Sequence, residues 1–340
     1  MAIEFYRAGL VGATRVRRAL YTALRTMQIT SLEACLPPEL QGPGTILTRI
    51  AAGLSGAEVY RVEAAGQRYV LKRSAPDEPA PEWRRRVDIE RLAAATGVAP
   101  RLVHADEDRR AVLSAFVVDQ SFAGLYMDPR TKPAAIELLG QTLRRVHDLP
   151  VPPDATERPP RALLAKVWPA LDASGAVPGF VRDAVDRMFA EEPPADPRAL
   201  VLSHNDVNPT NLVYDGTSIV LLDWQTAGPM HPFYDLATIS VFLRMDEATC
   251  CTLLAAHDGA PVETLPARFV YLRRLAAIVC GACFLWLARA TPPPDAPQTL
   301  DTAPALAELY QQLRTGAIEV ASAAGQWAFG LALVKAGVTL

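Results

Sequence analysis

From Thr45 to about Phe116, apolar and polar positions alternate along the chain, the period of half-buried strands. "TILTRIAAGLSGAEVYRVEAAGQRYVLKR" predicts three short strands. The first two join through "GLSG" (Gly53 to Gly56) and the next two through "AAGQ" (Ala64 to Gln67), both glycine-bearing turns. A helix is predicted from about Glu82 to Ala95, closed by Gly97 with Pro100 beyond. "AVLSAFVV" predicts a further strand.

After about Asp119 the period lengthens to that of helices. Ile136 to Asp148 and "GFVRDAVDRMFAEE" predict amphipathic helices, and long helices fill the C-terminal part around a break at "TPPPDAPQ". Between them, "NLVYDGTSIVLLDW" alternates about an Asp-Gly pair, a strong hairpin signal. The pattern predicts an α+β chain. Residues 1–44 read as an N-terminal arm that need not belong to the core. Residues 45–118 form a β-rich unit and 119–340 a helical unit.

Half of the 340 residues are apolar, enough for two sizeable cores. The net charge of −3 gives no general attraction to nucleic acid or anionic membrane. No run reaches the roughly 18 apolar residues of a membrane span. The longest, around Ala276 to Ala290, reads as a buried helix flanked by arginines. Five cysteines without a secreted-framework spacing suit reduced thiols in a cytoplasmic protein. Cys280 and Cys283 have redox-motif spacing but lie in an apolar helical run, which favours packing. The first 27 residues are arginine-rich, with Glu4 the one acid. They read as an amphipathic arm, a targeting-like segment, or sequence ahead of a start at Met27.

The hairpin carries the candidate chemistry. Folding it brings Asn211, at one end, beside Asp223, at the other. An amide oxygen and a carboxylate are hard ligands suited to Mg²⁺. Asp206, on the loop feeding the hairpin, faces that pair and can orient or deprotonate a hydroxyl beside a metal-bound phosphate. Asp215 needs no role beyond the turn. Upstream, Gly53, Ser55 and Gly56 let backbone N–H groups approach phosphates, and Lys72 follows an apolar strand.

With these residues in view, the chain resembles the aminoglycoside phosphotransferase and choline kinase superfamily. The resemblance runs from about Thr45 to about Phe242. It rests on "HNDVNPTN", "LDWQTAGPMHPFYDLA" and the preceding "LLGQTLRRVHDLP". It implies a protein-kinase-like fold of small β-rich and larger helical lobes, with ATP and Mg²⁺ as cofactors. The implied catalytic aspartate is Asp206, and the magnesium ligands are Asn211 and Asp223. Lys72 and the glycine loop would bind nucleotide, Asp235 would brace the catalytic loop from a buried position, and His204 would support that loop.

Two departures are informative. The letters His-Asn-Asp and Asp-Trp-Gln stand where protein kinases carry His-Arg-Asp and Asp-Phe-Gly, which favours a small-molecule alcohol as acceptor. Arg86 falls where the family has the acidic partner of the lysine, leaving Glu82, Asp88 or Glu90 for that role. The acceptor stays open among choline- or ethanolamine-like amino alcohols, thiamine-like alcohols and aminoglycosides. Tyr271, Trp286, Tyr310 and Trp327 offer aromatic faces for a quaternary ammonium, although helix aromatics usually build core. From Ser240 onward, eight acids balance seven bases, no excess for a polycation. Gln225 replaces an acid frequent in choline kinases. A pseudokinase would have lost at least one of Lys72, Asp206, Asn211 or Asp223, and none is lost. The pseudokinase, a nucleotide-binding regulatory module without turnover, is kept as the alternative, with a hydrolase, Asp206 activating water, ranked behind it.

Overall fold

The computed structural model describes residues 32–50, 57–75 and 77–340. The residues 51–56, which include Gly53, Ser55 and Gly56, lie outside this set, as does the arginine-rich stretch 1–31.

The chain divides into two compact units, and the division falls inside one helix. The first contains the described residues to Val87 and then Pro100–Phe116; the second contains Asp88–Ala99 and Val117–Leu340.

In the first unit, β1 (Ile46–Ile50), β2 (Glu58–Ala64), β3 (Gln67–Arg73), β4 (Leu102–Asp106) and β5 (Ala111–Ala115) form one antiparallel sheet in the order β1-β2-β3-β5-β4. The alternation of β2 buries Tyr60, Val62 and Ala64 on one face, where they meet Leu71 and Leu113. Leu32, Cys35, Leu36 and Leu40 join the same core. The unit therefore begins before the predicted boundary at Thr45, and residues 32–40 are not an arm outside it. β4 escaped the sequence reading because its five residues are all half-buried, with no alternation to show. Helix α1 spans Ala80–Ala95, two residues earlier than predicted, and its Trp83 and Val87 cover Val112.

The second unit is helical. It contains α2 (Phe122–Met127), α3 (Lys132–His147), α4 (Pro160–Asp172), α5 (Gly179–Ala190), α6 (Phe233–Phe242), α7 (Glu247–Asp258), α8 (Ala267–Ala288), α9 (Leu306–Thr315) and α10 (Ala323–Thr339). Two ribbons stand among them: β6 (Val201–Ser203) with β9 (Gly228–Met230), and β7 (Leu212–Tyr214) with β8 (Ile219–Leu221). Leu139, Leu143, Phe233, Ile239, Leu253, Leu275 and Trp327 lie in one continuous core. Helix α8, at 22 residues, is long and apolar enough to cross a membrane by length and composition, contrary to the reading that no run reaches that length. Its apolar residues instead fill this core, from Phe269 to Ala288. Gly140 sets the approach of α3 to α7. A Cβ there would stand 2.7 Å from the Ala256 Cβ and 2.8 Å from the Leu253 carbonyl oxygen, so only glycine lets the helices pack this closely.

Candidate active site

The ribbon β7–β8 is the predicted hairpin, with Leu212 opposite Leu221 and Tyr214 opposite Ile219. Its connection is longer than an Asp-Gly pair. Asp215 to Ser218 make a four-residue loop closed by the Asp215 N–H donating to the Ser218 carbonyl at 3.1 Å. The Asp215 carboxylate accepts from the Thr217 and Ser218 N–H groups, each at 2.8 Å. These hydrogen bonds pull its pKa down to about 2, so this carboxylate is committed to the turn.

Beyond the ribbon, the Leu222 N–H donates to the Asn211 carbonyl at 2.8 Å, extending the pairing to the threshold of Asp223. The hairpin thus holds Asn211 and Asp223 at its open end. Asp223 itself has φ +62°, a left-handed conformation costly for a side chain other than glycine. Asn211 Nδ2 donates to the Asp206 carbonyl and to Asp206 Oδ2, both at 2.9 Å. Asn208 Nδ2 donates to Asp206 Oδ1 at 2.9 Å. With its Nδ2 turned to Asp206, the amide oxygen is the ligand atom Asn211 has to offer. Burial raises the Asp206 pKa, and the charge of Asp223 raises it further, against the hydrogen bonds from Asn208 and Asn211. Two carboxylates that repel one another beside an amide oxygen suit a hard divalent cation. Among the described residues, no group of three or more His, Cys, Asp or Glu side chains could hold a metal. The donor set here is two side chains, which fits Mg²⁺ because that ion commonly completes its shell with water and substrate phosphates.

The loop carrying Asp206 is held from beneath. Asp235, fully buried near the start of α6, accepts the His204 N–H on Oδ2 and the Asn205 N–H on Oδ1, each at 2.8 Å. His147, at the end of α3, reaches Asp235 Oδ2 at 3.1 Å. Burial acts to raise the Asp235 pKa, but His147, His204 and these backbone donors outweigh it and hold the carboxyl below its ordinary value. Asn205 has φ +65° and anchors its side chain by donating to the Thr226 carbonyl at 3.0 Å. His204 is buried, with Nε2 donating to the Leu222 carbonyl at 2.9 Å, while Nδ1 accepts the Asp206 N–H at 3.3 Å. One ring thus ties the loop of Asp206 to the strand end before Asp223.

In the first unit, Lys72 lies on β3 between Val59 and Val112 in register. Glu78, which the sequence reading did not consider, senses its charge. Burial tends to raise the Glu78 pKa, but hydrogen bonds from Arg86 and Ser74 and the charges of Arg86 and Lys72 lower it overall. Arg86 is buried and donates to the Ser74 hydroxyl at 2.7 Å and to Glu78 at 3.1 Å. Of the predicted partners, Asp88 is exposed and pairs with Arg91 at 2.9 Å, one turn along the helix. Glu82 is exposed and Glu90 half-buried. The signal for Glu78 was weak, since it sits in the proline-flanked link between β3 and α1.

Most of the candidate aromatic faces are occupied. Tyr271 and Trp327 are core residues, the Tyr310 hydroxyl donates to the Phe242 carbonyl at 2.9 Å, and Arg289 covers Trp286 at 4.0 Å. Cys280 and Cys283 are free thiols inside α8. Burial raises the pKa of both, Cys283 to about 11, so neither forms a reactive thiolate near neutral pH.

The chain matches the phosphotransferase enzyme family over residues 46–269. No curated protein matches it. Among solved structures, it is similar to a choline/ethanolamine kinase family protein from Mesorhizobium loti (19% identity, 92% of this chain and 98% of that one, TM-score 0.55). It is similar to the choline kinase LicA of Streptococcus pneumoniae (14% identity, 80% and 92% covered, TM-score 0.58) and to LicA solved in complex with AMP (15% identity, 88% and 98% covered, TM-score 0.55). A third is the macrolide 2'-phosphotransferase MphH of Brachybacterium faecium (18% identity, 74% and 89% covered, TM-score 0.52). These likenesses show the protein-kinase-like α+β fold. The chain belongs to the phosphotransferase enzyme family.

Proposed function

We propose that this phosphotransferase uses ATP and Mg²⁺ to move the γ-phosphate onto a hydroxyl of a small molecule. The observation that carries the reading is the hairpin's open end. Asp206, Asn211 and Asp223 converge there on a loop fixed by Asp235, and the charge of Asp223 reaches Asp206. Asn211, through its amide oxygen, and Asp223 would hold Mg²⁺, which when bound supplies charge neutralisation for the phosphates.

Asp206 would take the acceptor's hydroxyl. Its raised pKa makes the carboxylate a better proton acceptor, and Asn208 and Asn211 fix its two oxygens in orientation. Lys72 would serve the nucleotide phosphates, with Glu78 and Arg86 setting the charge around it. Gly53, Ser55 and Gly56 would supply backbone N–H groups to the same phosphates. Nucleotide use draws support from the AMP complex of a structural neighbour. For the acceptor, an amino alcohol, a thiamine-like alcohol and an aminoglycoside are the classes to test. The occupied aromatic faces weigh against a cage built from Tyr271, Trp327 or Trp286.

The test is ATP consumption with choline, ethanolamine, thiamine, homoserine and kanamycin, with and without Mg²⁺. Magnesium-dependent turnover with one of them supports the reading. Nucleotide binding with no turnover across a wide alcohol panel would make the chain a binding module instead.

A further inference from the structure

Behind Asp235 lies a chain of linked side chains, running from the buried His147 and His257 out to Asp258 and Arg198, that the proposed reaction does not use. His147 Nε2 meets Asp235 Oδ2 at 3.1 Å, and His147 Nδ1 meets His257 Nε2 at 2.8 Å. His257 Nδ1 meets Asp258 Oδ1 at 2.7 Å. Asp258 Oδ2 accepts from Arg198 at 3.1 Å. The two rings stand edge to face at 66°, which suits an in-plane hydrogen bond between nitrogens. The close packing of α3 on α7 at Gly140 brings them together.

The protons in this chain can be counted. Each end is a carboxylate and only accepts. Asp235 is held ionised by two backbone N–H groups, and Asp258 by Arg198. The nitrogens facing Asp235 and Asp258 must therefore each carry a proton. The central contact between the rings needs one more. Three protons on four ring nitrogens is one beyond two neutral imidazoles.

We infer that His147 and His257 together hold one buried positive charge at neutral pH, and that this shared proton positions the catalytic loop by keeping Asp235 aligned on the His204 and Asn205 amides. The charge falls on His147, between Asp235 and a neutral His257 that donates from Nδ1. His257 is kept neutral because burial lowers its pKa and the His147 charge lowers it further, against the pull of Asp258. The other charged or titratable groups facing the pair are His204 beside Asp235 and Arg144 on α3. Asp258, one-quarter exposed, is the link to solvent. When the proton leaves, the pair cannot keep all three contacts: two lone pairs meet between the rings or one of the two carboxylates loses its donor, and His147 is loosened from Asp235 in every arrangement except the one that leaves Asp258 unmet.

The first test is ¹⁵N NMR of the full chain labelled at histidine, with the two rings assigned by His257→Gln and His147→Gln. Three ring N–H protons shared by His147 and His257 near pH 7 are expected; two would overturn the inference. The second test is unfolding as a function of pH. Above neutrality the folded chain keeps a proton that the unfolded histidines have released. The unfolding constant should then rise with pH, by at most tenfold per unit for one proton. In His257→Gln the amide can donate to His147 without an extra proton, so that component should vanish. Equal pH dependence in the two proteins would overturn the inference. The positioning role has its own readout. The backbone amide signals of His204 and Asn205 should shift with the same midpoint as the rings, and signals that stay fixed while the pair titrates would refute it. None of these readouts requires an acceptor, so they stand or fall apart from the phosphotransfer reading.

Discussion

Asp235 Oδ1 accepts the backbone N–H of Asn205 at 2.8 Å, across 30 positions of sequence. Asn205 is one of the left-handed residues of the chain and directly precedes Asp206. The strained loop is therefore held by a carboxylate on a different element. Replacing Asp235 with alanine leaves the His204 and Asn205 amides and His147 without their buried acceptor. The expected loss is about 3 to 5 kcal/mol, the scale for breaking a buried charged pair, read by chemical denaturation. The Asp235 pKa is depressed in the fold, so its contribution is present above the unfolded carboxylate pKa and is lost as pH falls below about 4. A variant as stable as wild type, with the same acid limb, would remove the brace from Asp235.

Asp206 has the opposite sign. Its pKa is raised, first by burial and then by Asp223, so its ionised form costs stability at neutral pH. Asp206→Asn should melt no lower than wild type in metal-free buffer. With an acceptor in hand, transfer should fall by roughly 10²-fold or more, the scale for losing a general base. Nucleotide affinity by calorimetry should be retained. A variant that loses ATP affinity as severely as turnover would put Asp206 among the metal ligands.

Asp223→Ala should abolish magnesium-dependent turnover while leaving the hairpin folded, because the β7–β8 pairing does not use its side chain. Asn211→Ala should raise the Mg²⁺ concentration needed for half-maximal rate, a milder effect because a neutral amide supplies less charge than a carboxylate. Titrating turnover with Mg²⁺ separates the two. Full activity of Asp223→Ala would end the metal assignment.

Around Lys72, Glu78→Gln should raise the KM for ATP, since it removes an acid that senses the lysine's charge. Asp88→Asn should not, because Asp88 is exposed and serves Arg91. Arg86→Ala should cost about 2 to 3 kcal/mol through its lost bonds to Ser74 and Glu78, the scale for hydrogen bonds to charged groups. Steady-state kinetics and melting curves read these separately. Equal KM values for Glu78→Gln and wild type would return the search to Glu82 and Glu90.

Sequence alone determined what is local. Alternation from Leu212 to Leu221 about Asp215 and Gly216 predicts a hairpin, and a hairpin brings its two ends together whatever surrounds it. Asn211 and Asp223 were therefore legible as a pair, with Asp206 on the loop beside them. The same local logic placed α1 before Gly97 and the switch from strands to helices near Asp119. Tertiary structure alone decided what depends on distant elements. Nothing in the periodicity of α3 and α7 says that His147 and His257, 110 positions apart, share a hydrogen bond. That contact exists because Gly140 admits the second helix. Nor could spacing show that Glu78 senses the Lys72 charge. That depends on Arg86, which folds inward to meet both Glu78 and the Ser74 hydroxyl. Local periodicity encodes which face a residue takes on its own element. Which partner meets that face is set by how the elements pack, and there a buried charge must find its counterpart or not be buried at all.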